Sequence, residues 1–431
     1  MRIAFVVFAL LTAVPSWAAA SAPDFKAETL TGDWNGARTR LYEQGVFWEF
    51  GYKGDMLRNF SGGRETGSRY TDNFDIKLRL DAEKLLGWDG TTVNFHVLSN
   101  HGGKFNQRNV GSVMGTDNIE VPVNTTKFFK AWVQKSFWED KVSLLVGLYP
   151  IDSEFYVTDA SGVFLHPSMG MSAEIAATAN GQRAPSIFNT SSFGFRFKLQ
   201  PDPAWYAQLA VVDGGPGDPD NPRGTHVRFK KGDGAMSIAE FGINPSEVFR
   251  WFKLPTGGKQ EEKFESISKI AIGYWRYNPR FDDLLDTNPA TGTPLRRVNS
   301  GAYFLAEQTV YTVPGDPARN LAVFMRHGVA EADVNRLAHS TSLGLRYKGM
   351  IVGRSDDIFG LAVTQARNSE KFMQAATTPQ HAAETMWEAT YRAQINPWLA
   401  IQPVLMRIIH PNTDPLLKNA WISGVRVEVT F

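Results

Sequence analysis

The sequence predicts a closed, antiparallel β-barrel that spans a membrane. Three observations favour this fold class. The chain begins with an export-type segment, it contains no later apolar stretch long enough for a membrane-spanning helix, and polar and apolar residues alternate along most of its length. The alternation carries the most weight because side chains of a strand point in turn to opposite faces of a sheet.

Residues 1–20 resemble a secretory signal peptide. Arg2 gives a positive start, residues 3–14 form an apolar run, and Ala18 to Ala20 provide small residues for a peptidase. The run is shorter than the roughly 20 apolar residues that a membrane helix needs. We therefore expect cleavage after Ala20, with an uncleaved anchor helix as the alternative.

The composition excludes several classes of protein. Removal of residues 1–20 takes away only Arg2, which leaves 44 basic and 44 acidic side chains and no basic excess for a nucleic-acid partner. The absence of cysteine excludes disulfides and thiolate metal sites. No linker or change of composition divides the rest, so we predict one barrel over residues 46–431 after an N-terminal segment at 21–45.

Period-two alternation is clearest in residues 70–81. Phe74, Ile76, Leu78 and Leu80 are apolar, whereas the residues between them are polar or charged. The same pattern recurs in residues 46–56, 93–97, 142–148, 193–199, 321–325, 343–347, 387–395 and 421–431. The apolar faces often end in aromatic residues, namely Trp48, Tyr70, Phe137, Trp205, Tyr347 and Trp421. Charges at mid-strand and aromatic ends favour a membrane barrel over a soluble β-sandwich, which would also alternate.

Both ends of the predicted barrel have further signals. Thr31 or Asp33 could cap a short helix over residues 34–44 that Gly45 ends, placed either at the mouth of the barrel or as a separate periplasmic appendage. The last strand ends in Phe431 with three valines on the same face. It resembles the C-terminal signal that the outer-membrane assembly machinery recognises.

Several motifs resemble the carbohydrate-selective porins of the OprB type. They include Asp-Trp-x-Gly-x-Arg at residues 33–38, residues 124–137, Gly-Leu-x-x-Ile-Asp-x-Glu-Phe at residues 147–155, residues 164–170 and the glycine-rich residues 211–218. The resemblance implies a 16-stranded barrel in the bacterial outer membrane. It also implies passive diffusion of glucose-like monosaccharides, without catalysis or a cofactor, and leaves a homotrimer open.

A sugar channel needs polar groups that replace water on hydroxyls and aromatic faces for the sugar ring, and it must bind weakly. If Phe129, Ala131 and Val133 face lipid, then Lys130, Trp132 and Gln134 face the lumen. Trp132 would then offer a stacking surface, or else be a lipid-side girdle residue. The same parity directs Asp75, Lys77 and Arg79 inward, as sugar contacts or as ordinary paired wall charges.

The segment 149–170 breaks the alternation and is too long for a tight turn. We expect a constriction loop that brings Asp152, Glu154, Phe155 and Asp159 into the lumen, with Arg183 as a further member. The alternative is a surface loop that packs on its own aromatic residues.

Catalytic and metal sites have little support. Acidic pairs such as Asp152 and Glu154 would suit a glycosidase, but no hydrolase, metalloprotease or phosphate-binding motif accompanies them. The eight histidines lack ligand spacing. The rivals to a sugar channel are therefore a general or weakly ion-selective porin and a secreted soluble β-protein that acts on polysaccharide.

Overall fold

The computed structural model describes residues 21–181, 183–251 and 266–431, so the predicted signal peptide lies outside the described residues. Sixteen strands form a closed barrel in which each strand pairs antiparallel with its neighbours in sequence, and β1 closes the barrel on β16. The predicted fold and strand number are confirmed. The strands are β1 Val46–Gly63, β2 Gly67–Asp81, β3 Thr91–Gly102, β4 Thr125–Phe137, β5 Val142–Tyr149, β6 Ser192–Asp202, β7 Trp205–Asp213, β8 Ala235–Ile243, β9 Ser268–Thr287, β10 Pro294–Val313, β11 Asp316–Ala330, β12 Leu337–Lys348, β13 Ile358–Asn368, β14 Ala383–Asn396, β15 Leu399–Ile409 and β16 Lys418–Thr430.

The alternation in sequence becomes an apolar outer wall and a polar inner wall. On β6, Phe193, Phe195 and Phe197 point outward and are 40–43% exposed, whereas Arg196 between them is buried inside the barrel. Tyr70 and Trp421 lie near one end of the outer wall, and Phe137 lies near the other. Aromatic residues at both borders of an apolar band are typical of a barrel in a bilayer.

The N-terminal segment packs on the closing seam of the barrel. Arg38 Nη1 donates to the main-chain oxygen of Phe431 at 2.9 Å, and its Nη2 donates to Trp48 O at 3.1 Å. The backbone N–H of Leu30 donates to Thr430 O at 2.8 Å. Of the two placements considered for this segment, the structure has the one at the mouth of the barrel.

The predicted helix over residues 34–44 is shorter than expected. Helix α1 spans Phe25–Glu28 and α2 spans only Ala37–Glu43. Trp34 and Asn35 have φ values of 49° and 57°, so the backbone turns before the helix begins. Asp33 accepts hydrogen bonds from the backbone N–H and hydroxyl of Thr39, within α2. The stop signal was correct, since α2 ends two residues before Gly45.

The connections differ between the two ends of the barrel. The end that carries the termini has mostly short turns, while two long connections leave the opposite end and enter the lumen. They are residues 103–124 between β3 and β4, called the first inward segment, and residues 150–191 between β5 and β6, called the second. The further α-helices are α3 Ala82–Leu86, α4 Ala173–Ala176, α5 Pro245–Trp251 and α6 Glu370–Ala375.

Short turns of other helix types complete the connections. They are the π-helical turn Asn106–Val110 and the 3-10 turns Ile151–Ser153, Ala160–Val163, Pro167–Met169, Thr178–Gly181 and Pro411–Thr413. None of the helices in the described ranges is long and apolar enough to cross a membrane.

Two apolar clusters fix the inward segments to the inner wall. The first joins Phe105 and Phe164 to Met386 and Met406 of the wall. The second joins residues of the second inward segment, including Phe155, to wall aromatics such as Trp275. Much of the interior is therefore filled by packed side chains, which hold the inward segments rigidly against the inner wall.

Candidate functional site

The second inward segment is held by carboxylates of the facing wall. Glu240 on β8 accepts the backbone N–H of Tyr156 at 3.0 Å. Glu388 on β14 accepts the backbone N–H groups of Leu165 and His166 at 2.8 and 3.0 Å. An irregular segment must find partners for its buried backbone groups, and these acids supply them.

Arg326 on β11 holds the same segment through its carbonyl groups. The guanidinium donates to Ser168 O at 3.0 Å, Tyr156 O at 3.1 Å and Gly170 O at 2.5 Å, and also to Met169 O. Its side chain is fully buried. A guanidinium suits this role because it carries five donors in a fixed plane and has no acceptor.

The first inward segment is held in a similar way. Glu384 on β14 accepts from the Ser112 hydroxyl at 2.5 Å and from the backbone N–H groups of Val113 and Met114 at 3.1 Å. Arg426 on β16 forms a two-pronged pair with Asp55 and donates to Asn118 Oδ1 at 2.7 Å. Backbone and side chains of this segment are therefore both fixed to the wall.

The two inward segments also contact each other. Asn118 donates from its backbone N–H to Leu165 O at 2.8 Å and from its side-chain amide to Phe164 O at 3.2 Å. Together they cover part of the inner faces of β14 and β16 and narrow the lumen. What stays open is bounded largely by charged side chains.

Seven basic side chains surround this open part, and we call them the basic ring. Glu428 joins two of them, since it lies 2.8 Å from Arg392 Nε and interacts electrostatically with Lys53. On the side of the barrel opposite Glu428, Lys198 and Lys269 are electrostatic neighbours. The ring closes across β13, which lies between the strand of Arg346 and the strand of Arg392. The members are Lys53 on β1, Lys77 on β2, Lys130 on β4, Lys198 on β6, Lys269 on β9, Arg346 on β12 and Arg392 on β14.

The structure brings five of the predicted site residues together. Lys130 has Asp75, Lys77, Asp152 and Glu154 as its electrostatic neighbours. His96 Nε2 lies 2.7 Å from Asp75 Oδ1. This group combines hydrogen-bond donors and acceptors in one part of the lumen, and it joins the wall to the second inward segment.

The predicted parity of β4 is wrong at one residue. The ladder between β3 and β4 shifts between His96 and Val97, so Phe129 is an extra residue on its strand. Phe129 therefore faces inward and packs edge-on against His96 and Phe188, at centroid distances of 5.5 and 5.9 Å. Val133 faces outward as predicted, and Lys130 faces the lumen.

Trp132 and two other predicted residues point inward without offering a free surface. Trp132 is 8% exposed and packs in the same apolar cluster as Phe155, which is fully buried. Gln134 accepts a hydrogen bond from Arg196 at 2.7 Å. A stacking role for Trp132 and a solute-contact role for Phe155 and Gln134 therefore lack an accessible surface, because the second inward segment covers this part of the wall.

Arg183 does not join the constriction. Its guanidinium donates to Asp233 O at 2.6 Å and to Gly232 O at 2.9 Å, in the connection between β7 and β8 at the opposite end from the termini. Arg79 lies at the terminus end, over the ring of Phe47 at 5.4 Å. Asp159 is exposed and is an electrostatic neighbour of Arg346.

A cavity of about 200 Å³ lies beside Lys269 of the basic ring. Asp159, Tyr206, Lys269 and Glu307 contribute to its lining. Lys198 and Lys269 lie over the Tyr206 ring at 5.4 and 5.5 Å from its centroid. Tyr206 is thus an aromatic ring that lines the open lumen, which is the environment that the sequence predicted for Trp132.

Sequence reasoning did not single out most members of the basic ring, or the wall residues that anchor the inward segments, as groups that lie together. Strand parity places Lys198 and Arg392 inward, and that signal was present. Their proximity to the predicted residues depends on barrel closure and on the path of the inward segments, which parity does not encode. Within the described residues, no group of three or more histidine, aspartate or glutamate side chains is placed to hold a metal ion.

Comparison with known proteins decides the family. The family model of the carbohydrate-selective porins, OprB family, matches residues 65–431. The chain belongs to this family. It is 23% identical over 447 residues to porin B of Pseudomonas aeruginosa, covering 96% of this chain and 93% of the relative. The putative porin QuiX of Acinetobacter baylyi is 20% identical, with 93% of each chain covered.

A solved structure of an OprB porin has the same fold. The high-pH structure of Pseudomonas putida OprB superimposes with a TM-score of 0.81 at 19% identity, and the match covers 94% of this chain and 99% of that one. An OprB-family chain is an outer-membrane porin and not an enzyme. In such barrels the short turns face the periplasm and the long connections face outward. The termini and α2 are accordingly periplasmic.

Proposed function

We propose that this porin lets glucose-like monosaccharides and similar small polar solutes diffuse across the outer membrane down their gradients. One observation carries the proposal. The lumen left open by the two inward segments is bounded by mixed charges, among them Asp75, Lys77, Lys130 and Glu154. Such a boundary offers donors and acceptors that replace water on sugar hydroxyls.

The chemistry of the ring suits weak and reversible contacts. Lys77 is 30% exposed although it pairs with Glu49, so a hydroxyl can compete for it. Tyr206 adds an aromatic ring at the edge of the cavity. In each contact, a sugar hydroxyl exchanges a hydrogen bond with water for one with the protein, so the net change in free energy is small. A solute bound in this way leaves readily.

The test is the ion current through the purified mature protein in a planar bilayer, titrated with glucose and then with a non-sugar solute of equal size. We expect glucose to reduce the current at concentrations where the second solute has little effect. Equal effects of the two solutes would contradict sugar selectivity.

A general porin is the second candidate. The lumen contains many ion pairs, such as His96 with Asp75 and Arg392 with Glu428, and such walls also suit ion conduction. Under this alternative, current follows salt concentration and sugars do not compete. The bilayer titration separates the two functions.

Export and assembly complete the proposal. Residues 1–20 act as a cleaved signal peptide, the C-terminal strand ending in Phe431 is read by the outer-membrane assembly machinery, and the apolar outer wall contacts lipid or other copies in a homotrimer. Mass spectrometry of the mature N-terminus tests cleavage after Ala20. Cross-linking in the membrane tests the trimer.

A further inference from the structure

Among the described residues, four members of the basic ring have no ion-pair partner. Lys53, Lys130, Lys198 and Arg346 interact with carboxylates only through space, and in the part of the chain that the structure describes none of them hydrogen-bonds to one. Each of these side chains is partly exposed. Their donors therefore remain available to a solute in the lumen.

The carboxylates beside them are differently placed. Glu154 accepts two hydrogen bonds from Arg196, at 2.5 and 2.8 Å, and a third from the Tyr149 hydroxyl at 3.0 Å. Asp152 accepts the backbone N–H of Phe188 at 2.9 Å. These bonds fix the acids and reduce their capacity to accept from a solute.

The remaining carboxylates of the ring are also engaged. Glu307 accepts the backbone N–H of Ala160 at 2.9 Å, Glu428 pairs with Arg392, and Asp75 lies 2.7 Å from His96. Asp159 is not without an interaction partner either. Acidic and basic groups are therefore nearly balanced in number, but the carboxylates have bonded partners whereas four of the cations have none among the described residues.

Position strengthens this imbalance. Lys130 and Lys198 are both electrostatic neighbours of the fixed Glu154, and Lys198 is a neighbour of Lys269 at the cavity of about 200 Å³. A carboxylate is an acceptor-only group with about four lone-pair sites, which free ammonium and guanidinium donors match. Hydroxyls of the same solute can use the remaining groups of the wall.

We infer that the basic ring selects monosaccharide acids, such as aldonates, over neutral hexoses. The inference rests on the proposed function, because it narrows the class of sugar that passes. Attraction by fixed cations raises the local concentration of an anionic solute and its rate of entry. Because the four free cations are spread over four strands, the carboxylate can pass from one to the next and is not trapped at a single strong site.

The experiment compares the block of current by glucose, gluconate and propionate in about 0.1 M KCl, where the screening length is about 10 Å. We expect gluconate to reach half-block at a concentration about five- to tenfold lower than glucose, as one or two screened charge contacts would produce. Propionate should block less than gluconate, because it has the charge without the hydroxyls. Near 1 M KCl the preference should shrink.

Two pairs of substitutions locate the effect. Lys130→Gln with Lys198→Gln, and separately Lys53→Gln with Arg346→Gln, should each reduce the ratio of the glucose to the gluconate half-block concentration at least about threefold. Stable single channels in the bilayer, together with an unaltered heat-dependent shift on a denaturing gel, show that each variant is folded. Lys418→Gln removes one positive charge at the extracellular start of β16 and should leave the preference for gluconate over glucose unchanged.

The outcomes are separable. If neither glucose nor gluconate blocks, the proposed sugar function fails and this inference fails with it. If glucose blocks and gluconate is no better, only the inference fails. Equal block by propionate and gluconate, or an unchanged preference in both double variants, would likewise overturn it.

Discussion

Charged side chains of the inner wall lie in two regions that differ in what covers them. On β11 and β14, Arg326, Glu384 and Glu388 are fully buried, and each hydrogen-bonds to backbone groups of an inward segment. In the basic ring, Lys77 and Arg392 keep 30% and 25% of their side-chain surface exposed. A charge at an inward strand position is therefore an anchor or, in our proposal, a solute contact, depending on whether a backbone segment reaches it.

Hydrogen bonds to the inward segments allow the anchors to be buried. A buried charge is costly unless hydrogen bonds replace the water it loses. Glu388 receives two backbone N–H groups and Arg326 meets four backbone carbonyl groups, so charge and irregular backbone satisfy each other. The ring residues stay partly exposed, which in our proposal lets them exchange water for a solute.

The largest expected effect comes from removing an anchor. Arg326→Met leaves four carbonyl groups of the second inward segment without their donor, at a cost of about 1–3 kcal/mol for each buried group that finds no new partner. We expect the segment to loosen and the single-channel conductance to rise severalfold. Bilayer recordings at high salt measure this change directly.

The matched control is Arg407→Met on the outer wall, where Arg407 lies over Trp421 at 5.2 Å and contacts no inward segment in the described structure. It should leave conductance unaltered. An Arg326→Met channel with normal conductance would mean that the apolar clusters alone hold the segment.

A smaller effect is expected from the two glutamates of β14. Glu384→Gln and Glu388→Gln each replace a charged acceptor by a neutral amide, which weakens the bonds to one inward segment by about 1 kcal/mol. Each should increase current noise and protease sensitivity of its own segment. Because Asn118 joins the segments, we expect the double variant to depart from additivity by more than about 0.5 kcal/mol in thermal unfolding.

A substitution of Asn118 itself checks that coupling. Asn118→Ala should abolish the non-additivity while Glu384→Gln and Glu388→Gln keep their separate effects. Strictly additive single variants in the otherwise unaltered protein would show that the segments are held independently.

The sequence was sufficient for the fold and for part of the site. Alternation and aromatic ends depend on local geometry, so they placed β1 and β2 and directed Asp75 and Lys77 inward. The proximity of Lys53 to Glu428 could not be predicted in the same way, because it requires closure of a barrel between strands at opposite ends of the chain.

The errors have local physical causes. One extra residue in β4 turned Phe129 inward, since a bulge reverses parity for the residues on one side of it. Trp132 was placed on the correct face, but its accessibility depends on where the second inward segment packs. The path of that segment is fixed by Arg326 and Glu388, which lie far away in sequence and have no distinguishing local motif.

The smallest effect on transport is expected at Trp132, and it tests the boundary between the two regions. Because its ring is covered by the second inward segment, Trp132→Ala should remove packing and lower the unfolding temperature, as truncation of a buried aromatic costs about 3–5 kcal/mol. Half-block by glucose should stay within about twofold of the unaltered protein, since weak aromatic contact to a sugar would need an accessible ring.

Trp387→Ala is the matched control because Trp387 is a tryptophan of the outer wall that is 47% exposed. It should affect neither glucose block nor the packing of the inward segments. If Trp132→Ala instead abolished glucose block without lowering the unfolding temperature, Trp132 would contact solute directly. The second inward segment would then have to move away from the wall during conduction, and the division between covered anchors and open ring would hold only for the resting channel.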